Sequence, residues 1–248
     1  MHNTTTEKLF SFIESSPTAF HAIETMRCRL DTEGYQPLLE GSDWNLQAGG
    51  KYYVIRNGSS IIAFRIPTAE WKGFQIMASH SDSPMFKIKE NPEMEAEGHY
   101  VKLNVEKYGG MLCAPWFDRP LSVAGRLVVK EGDQIVTKLV DVKKDLVMIP
   151  SLAIHMNRDA NNGVKFNPQK DLLPLYGDET AKGTFMARIA ELAGVTENDI
   201  LAHDLYVYSR THGSVWGASE EYISCGRLDD LQCAFSSLEG FLHAKDGE

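Results

Sequence analysis

The chain has 248 residues, of which 43% are hydrophobic and 24% charged, so its composition is that of an ordinary globular protein with one large domain or two. A formal net charge of −9, without any stripe of Lys and Arg, argues against a nucleic-acid partner. A membrane protein is not indicated either, because every apolar run falls short of the roughly 18 residues that a membrane-spanning helix needs.

The N-terminal part of the chain predicts two helices. Residues 8–14 carry apolar side chains at helical spacing, and the sequence around Pro17 then ends this helix and suits the first turn of another. The second helix is predicted to continue to Asp31, because apolar side chains recur at every third or fourth position from 20 to 30.

A β-hairpin is the next predicted element. Residues 51–56 and 59–66 are strand-like, and Asn57-Gly58 between them tolerates the positive φ angles of a type I′ turn. A third strand is predicted over Gly73–Ser79, whose continuous apolar content is typical of an interior strand.

The character of the sequence changes after Lys89. Residues 90–98 are strongly acidic and predict a loop. Strand-like runs then follow at intervals of about ten residues, separated by turn signals such as Glu131-Gly132-Asp133, and this spacing predicts a β-rich module. The runs are Tyr100–Val105, Ser122–Val129, Gln134–Val140 and Asp145–Ile149.

The last part of the chain mixes loop, helix and strand. Residues 149–176 are polar and rich in Asn and Pro, which predicts an extended loop. A helix is predicted over 183–193 and a strand over Asp204–Tyr208. The segment Arg227-Leu228-Asp229-Asp230-Leu231 then leads into a final helix that continues to Leu242.

The most informative segment is His80-Ser81-Asp82-Ser83-Pro84, which directly follows the predicted strand 73–79. Side chains two residues apart leave a strand on the same face, so His80 and Asp82 are expected to point together from the strand end. Imidazole is a good zinc ligand, and a carboxylate beside it can fix its orientation, so the segment predicts part of a metal site. The alternatives are a histidine hydrogen-bonded at a strand end and an aspartate in a turn before Pro84.

Other features of the sequence indicate the cellular compartment and exclude some classes of protein. The four cysteines (Cys28, Cys113, Cys225 and Cys233) form no CxxC pair, and residues 1–12 lack the apolar stretch of a secretory signal, so we expect reduced, buried thiols in a cytoplasmic protein. A serine hydrolase or a nucleotide-binding protein is not indicated, because the sequence has no Gly-x-Ser-x-Gly, P-loop or GxGxxG motif. Glu220-Glu221 is interpreted as a solvated pair without a catalytic role.

Six segments, spread in order over nearly the whole chain, resemble the M18 family of zinc aminopeptidases, which includes the aspartyl aminopeptidases and their bacterial relatives. Each is a weak signal alone, but six in family order are hard to reach by chance. They are Ser16-Pro17-Thr18-Ala19-Phe20-His21, Lys51-Tyr52-Tyr53 with Arg56-Asn57-Gly58-Ser59-Ser60, His80-Ser81-Asp82-Ser83-Pro84, Trp116-Phe117-Asp118-Arg119-Pro120-Leu121, Ile149-Pro150-Ser151-Leu152-Ala153-Ile154-His155 and Arg227-Leu228-Asp229-Asp230-Leu231.

The resemblance implies an α/β fold of two parts. One is a zinc-peptidase α/β sheet sandwich, incomplete in this chain, and the other is an inserted β-rich domain for dimerisation and assembly. On this reading, residues 1–90 begin the metallopeptidase domain, 91–220 form the assembly domain and 221–248 return to the metallopeptidase domain. Family members are homo-oligomers built from dimers, commonly dodecamers.

The resemblance also implies roles for individual residues. His80 and Asp229 would be metal ligands, with Asp229 bridging two ions, and Asp82 and His155 would be catalytic residues. Asp82 would orient His80, and His155 would reach the active site of a neighbouring subunit. Asp230 departs from the Asn more usual in the family. The alternatives are an aspartate at a helix N-terminus for Asp229 and a histidine packed in an apolar strand for His155.

The implied activity is that of a metal-dependent aminopeptidase. It would release N-terminal residues, acidic ones by analogy with the family, from peptide substrates through a water activated by two zinc ions, with manganese or cobalt as other possible metals. The family places further ligands and a Glu-Glu pair after the segment at 227–231, so the chain is expected to be an N-terminal portion that is inactive alone. The alternative is a non-catalytic assembly or split-subunit module.

Overall fold

The computed structural model describes residues 4–244 and divides them into two compact units. The first unit comprises residues 4–83 and 212–244, and the second comprises residues 84–211. The family resemblance implies boundaries at 90/91 and 220/221 instead. The first difference arises because one continuous strand runs through position 90.

Residues 4–244 contain four α-helices and eleven β-strands. They are α1 (Thr4–Glu14), α2 (Ala19–Thr32), β1 (Gln36–Leu38), β2 (Lys51–Arg56), β3 (Ser60–Arg65), β4 (Met85–Ala96), β5 (Tyr100–Tyr108), β6 (Leu121–Glu131), β7 (Gln134–Asp141), β8 (Leu175–Asp178), α3 (Phe185–Ala193), β9 (Ile200–Ser209), β10 (Ser214–Trp216), β11 (Tyr222–Ser224) and α4 (Leu228–His243).

The core of the first unit lies among its helices. α1 buries Leu9, Phe12 and Ile13, which recur at the spacing of one helical face. Phe12 packs against Phe235 of α4 with ring centroids 5.8 Å apart. The two predicted N-terminal helices are confirmed, and α1 begins four residues earlier than the apolar pattern indicates, at Thr4 instead of residue 8.

The predicted hairpin is confirmed in strands β2 and β3. Asn57 and Gly58 have φ angles of 54° and 65°, and the Ser59 N–H donates to the Arg56 carbonyl oxygen, which together define a type I′ turn. β1 adds in parallel to β2, so the sheet has the order β1-β2-β3.

The predicted strand Gly73–Ser79 is wrong for this structure. Its residues lie outside every strand, and the side chains of Phe74 and Ile76 are 78% and 82% exposed. A strand is stabilised by hydrogen bonds to a neighbour, and none of the strands in residues 4–244 pairs with this segment. The apolar residues therefore lie on the surface of the first unit, where Trp71 and Phe74 pack edge to face with each other.

The second unit contains a six-stranded antiparallel sheet with the order β7-β6-β9-β4-β5-β8. Its core combines buried side chains of the central strands, such as Phe86, Leu127 and Leu205, with Phe185 and Ile189 of α3. This confirms the predicted β-rich module and the helix beside it.

Three local expectations in the second unit need correction. The acidic residues 90–96 belong to β4 instead of a loop, because the backbone of Glu93–Ala96 pairs with β5 beyond an irregularity that follows Ile88, and the chain turns only at residues 97–99. The predicted strand Asp145–Ile149 is reduced to isolated bridges at Val147, Met148 and Ile149. The loop predicted to end at 176 gives way to β8 at Leu175.

All four cysteines carry free thiols, but the expectation that they are buried is wrong, because Cys28 and Cys233 are exposed and Cys113 and Cys225 are only half-buried. Of the helices in residues 4–244, none has both the length and the apolar character that crossing a bilayer requires.

A cluster of charged side chains links three strands of the second unit. Asp204 of β9 accepts hydrogen bonds from Lys87 of β4 and Arg126 of β6, each at 2.9 Å, and its side chain is 26% exposed. Burial by itself would raise the pKa of Asp204, but the two hydrogen bonds outweigh burial and lower the pKa.

Replacing Asp204 by Asn is expected to lower the free energy of unfolding by about 1–2 kcal/mol near neutral pH, because two cations lose their partner. Since folding lowers the pKa of Asp204, this contribution exists above the ordinary aspartate pKa and disappears as the pH falls through the lowered value. Urea unfolding of wild type and variant at about pH 7 and about pH 3 measures the change.

The matched control is Asp145→Asn, which removes a carboxylate that is 62% exposed and paired with Arg210. That change should shift the free energy of unfolding by less than about 0.5 kcal/mol. If Asp204→Asn lowered the free energy of unfolding by the same amount at both pH values, the stabilising role of the Asp204 carboxylate would be contradicted.

Candidate metal centre

The imidazole of His80 lies among three carboxylates in the first unit. Its Nδ1 is 2.9 Å from Asp82 Oδ1, and its Nε2 is 3.2 Å from Asp229 Oδ1 and 3.7 Å from Asp230 Oδ2. The segment that carries His80 has no regular secondary structure and does not follow a strand, so the predicted delivery by a strand is wrong. The two side chains are nevertheless adjacent, because the chain from 80 to 82 brings the Asp82 carboxylate back to Nδ1.

Asp229 and Asp230 belong to the irregular first turn of α4. Their φ/ψ angles, −90°/106° and −121°/22°, are not helical, and a cis peptide bond joins them. Because these backbone angles are not helical, the two carboxylates do not follow the directions of a regular helix, and both come close to Nε2 of His80. The Asp229 side chain is 86% exposed, whereas that of Asp230 is only 16% exposed.

Two hydrogen bonds connect the His80 segment to this turn. The backbone N–H of His80 donates to Asp230 Oδ2 at 3.2 Å. The hydroxyl of Ser83 donates to the backbone carbonyl oxygen of Asp229 at 2.9 Å. Two segments about 150 positions apart in the sequence are therefore held together by two hydrogen bonds. In one the His80 segment contributes a backbone group, and in the other it contributes a side chain.

The donors of His80, Asp229 and Asp230 fit a divalent metal ion. All three donor atoms lie within 4.8 Å of one another. Ligands about 2.1 Å from a tetrahedral zinc ion lie roughly 3.4 Å from each other, and the separations of 3.2 and 3.7 Å at Nε2 bracket that value. One imidazole with two carboxylates is also a donor set that suits manganese or cobalt.

Asp82 controls the chemistry of the His80 imidazole. Its hydrogen bond to Nδ1 is the main reason that the pKa of His80 lies above its ordinary value. With the proton of the neutral ring on Nδ1, the lone pair of Nε2 faces Asp229 and Asp230, which is the tautomer that a metal needs. A raised pKa also means that protons compete with the metal for Nε2 up to a higher pH.

Replacing Asp82 by Asn is expected to change two properties of zinc binding, its affinity near neutral pH and the pH at which it is lost. Zinc affinity near neutral pH should fall about 10- to 100-fold, because the ring loses the partner that orients it. The pH at which zinc binding is lost on acidification should also fall, because Asn no longer raises the pKa of His80. Competition with a chromogenic chelator across a pH series measures both effects.

Asp43→Asn is the control for that series, since Asp43 is an exposed carboxylate of the same unit. It should leave both the affinity and the pH profile unchanged. An Asp82→Asn profile that overlays the wild-type profile would contradict the assigned role of Asp82.

The structure thus brings together His80, Asp82 and Asp229, and it adds Asp230, which the family pattern did not mark as a ligand. The only sequence signal for Asp230 is that it is adjacent to Asp229. His155 lies in the second unit, in a turn formed with Ile154 and Met156, and all three residues are exposed. The alternative of a histidine packed in an apolar strand is therefore wrong.

The Glu220-Glu221 pair has a local structural explanation. Glu220 has a φ angle of 57°, and the carboxylate of Glu221 accepts a hydrogen bond from the backbone N–H of Ser219 at 2.8 Å. Both side chains are exposed, in agreement with the interpretation as a solvated pair.

Comparison with known protein families and sequences gives a consistent result. Residues 12–248 match the model of the family described as Aminopeptidase I zinc metalloprotease (M18). A probable M18 family aminopeptidase 2 of Clostridium novyi is 45% identical over 242 residues, which are 94% of this chain and 56% of the relative. The protein of the same name in Pseudomonas aeruginosa PAO1 is 38% identical, over 97% of this chain and 58% of the relative.

Solved structures are similar as well. A cryo-EM structure of the Ape4 and Nbr1 complex matches with a TM-score of 0.93 and 32% identity, over 99% of this chain and 51% of that chain. Chaetomium thermophilum mApe1 matches with a TM-score of 0.89 and 30% identity, over 98% and 59%. The S. cerevisiae mApe1 dodecamer matches with a TM-score of 0.81 and 28% identity, over 97% and 56%. The chain therefore spans about half the length of the proteins it matches.

Proposed function

This chain belongs to the M18 family of zinc metallo-aminopeptidases, and from that premise we propose that it supplies the His80–Asp229–Asp230 metal centre of a peptide-hydrolysing enzyme. The observation that carries the proposal is the convergence of three donor groups from two distant segments, with a carboxylate on the far side of the imidazole. When bound, the metal would supply Lewis-acid polarisation of the scissile carbonyl and an acidified water.

The chain's own residues have separate tasks in this proposal. His80 and Asp229 hold the ion, and Asp82 keeps the proton of the imidazole on Nδ1. The Asp229 side chain is 86% exposed, which leaves space for its carboxylate to contact a second ion, as a bridging ligand of a two-zinc site would. Asp230 restrains the His80 backbone and keeps its carboxylate within reach of the first ion.

The donor set supports the further proposal that the chain does not hydrolyse peptides alone. A two-zinc site needs about four ligands for each ion and a general base. In the part of the chain that the structure describes, the cluster of three is the only group of its kind. The remaining ligands and the base would have to come from additional polypeptide.

The second unit is proposed to serve assembly into a homo-oligomer, with His155 reaching the active site of a neighbouring subunit. The support is its exposed turn, in which Ile154 and Met156 beside His155 are 49% and 77% exposed. One solved structure that resembles the chain is a dodecamer. An exposed imidazole flanked by exposed apolar side chains is well suited to enter a partner's site.

The substrate class rests on the resemblance alone. We propose release of N-terminal Asp or Glu from peptides, with zinc as the native metal and manganese or cobalt as substitutes. The four free thiols are consistent with the reducing environment of the cytoplasm.

The test is an aminopeptidase assay with two preparations and a panel of peptides that begin with Asp, Glu, Ala or Leu. The chain alone should show no metal-dependent turnover. The chain co-purified with the part of the Clostridium novyi relative that it does not match should release acidic N-terminal residues in the presence of zinc. His80→Ala in the second preparation should abolish that turnover.

The outcomes separate the possible functions. Turnover by the chain alone, abolished by chelator, would contradict the proposal of an incomplete site. A stable complex that has no activity with any of the peptides and metals would overturn the aminopeptidase proposal and leave the assembly or split-subunit module. Turnover with neutral but not acidic N-termini would overturn only the substrate class.

A further inference from the structure

Ser83 is a buried residue that lies close in the chain to His80 and contacts the backbone of Asp229. It is 4% exposed, and its hydroxyl donates to the backbone carbonyl oxygen of Asp229 at 2.9 Å. A buried hydroxyl without a partner is unfavourable, so this hydrogen bond fixes the position of the Asp229 carbonyl relative to the His80 segment.

The bond is important because it acts on the backbone of Asp229 itself. The Asp229 side chain is 86% exposed, and its backbone φ/ψ angles of −90° and 106° are not helical. Asp230 differs, because its side chain is 16% exposed and accepts the N–H of His80. Of the two hydrogen bonds described between the His80 segment and this turn, the one from Ser83 is therefore the one that reaches Asp229 directly.

We propose that Ser83 is a positioning residue of the metal centre, which sets the distance between His80 Nε2 and the Asp229 carboxylate through the Asp229 backbone. This inference rests on the proposed metal centre. Ser83 touches neither metal nor substrate in this account. Its effect is to reduce the conformations that Asp229 samples, so that less ordering is needed when the ion binds.

The test measures zinc affinity by competition with a chromogenic chelator. It compares the wild type with Ser83→Ala, and Ser83→Thr with Ser83→Val. Ser83→Ala should weaken binding about 10-fold or more, in the range seen when a partner of a metal ligand is lost. Ser83→Thr keeps a hydroxyl and Ser83→Val replaces it with a methyl group of similar shape. The Ser83→Thr variant should therefore bind zinc more tightly than the Ser83→Val variant by a similar factor. The larger side chain is common to both variants, so its effect on zinc affinity cancels in this comparison.

Ser16 provides the matched control, since it is a fully buried serine of the same unit whose hydroxyl has no hydrogen-bond partner among the described residues. Ser16→Ala should leave zinc affinity unchanged. Unfolding by urea in the presence of EDTA establishes that each variant is folded without metal. If Ser83→Ala does not fold, the Thr and Val pair decides the question.

The results distinguish this inference from the proposed metal centre. Zinc binding by the wild type that is lost in His80→Ala but unchanged in Ser83→Ala, or equal in the Thr and Val variants, would overturn the role of Ser83 alone. Failure of the wild type to bind zinc at all would overturn the metal centre, and with it the role of Ser83. A larger loss in Ser16→Ala than in Ser83→Ala would also overturn the role of Ser83, because general packing would then control affinity.

Discussion

Replacement of His80 by Ala is expected to lower the zinc affinity of the chain by more than about 100-fold, a larger loss than removing a partner of a ligand causes. His80 supplies the only nitrogen donor in the cluster, and without it only the two carboxylates of Asp229 and Asp230 remain as donors. The side chain is 56% exposed, so the fold should survive. Chelator competition gives the affinity, and far-UV circular dichroism checks the fold.

His212→Ala is the matched control for this experiment. His212 belongs to the same unit, is 74% exposed and pairs with a single carboxylate, that of Glu14. Its replacement should change zinc affinity by less than about twofold, within the small effects of exposed ion pairs. Equal losses in the two variants would mean that any exposed imidazole contributes, and the assignment of His80 would be wrong.

Replacement of Gly125 by Ala is expected to destabilise the second unit by about 3 kcal/mol, at the upper end of the usual cost of overpacking. A Cβ atom at this position would lie 2.0 Å from the carbonyl oxygen of Asp204 and 2.8 Å from the Cα atom of Leu205. Both are backbone atoms of β9, the central partner of β6, so neither can move without disturbing the sheet. Urea unfolding measures the change.

Gly110→Ala tests whether the effect comes from the clash instead of from the loss of a glycine. No atom lies within 4 Å of a Cβ built on Gly110, and its φ angle is not in the left-handed region. That variant should be within about 0.5 kcal/mol of wild type. A Gly125→Ala protein as stable as Gly110→Ala would show that β6 and β9 are further apart than the structure has them.

Elements with local signals could be predicted from the sequence. Asn57-Gly58 specifies the hairpin because both residues tolerate positive φ angles, which the turn requires. The face formed by Leu9, Phe12 and Ile13 specifies α1 because its spacing matches the helical repeat. The α/β class follows from such elements together with the family resemblance, and similar solved structures confirm it.

Elements that depend on a partner could not be predicted in this way. The segment Gly73–Ser79 has the composition of a strand, but a strand forms only where a neighbour satisfies its backbone, and no described strand does so. Residues 90–96 have the composition of a loop, yet they belong to β4, whose residues 93–96 pair with β5. In both cases tertiary contacts, and not local composition, determine whether the segment forms a strand.

The candidate site was only partly accessible to sequence reasoning. His80 and Asp82 are close in the chain and do pair, but the strand geometry from which their pairing was inferred is absent. Asp229 lies about 150 positions away, and no periodicity links it to His80, so only the family resemblance pointed to it. The contributions of Asp230 and Ser83 depend on the irregular turn at the start of α4, which no local pattern predicts.

The most direct test of the metal centre is an anomalous difference map at the zinc absorption edge, from crystals of the chain grown with zinc. A peak is expected about 2.1 Å from His80 Nε2 and within bonding distance of the Asp229 carboxylate. Data collected above and below the edge would identify the element. A map from zinc-saturated crystals with no peak between His80 and Asp229, or with its only peaks elsewhere on the surface, would contradict the proposed metal centre.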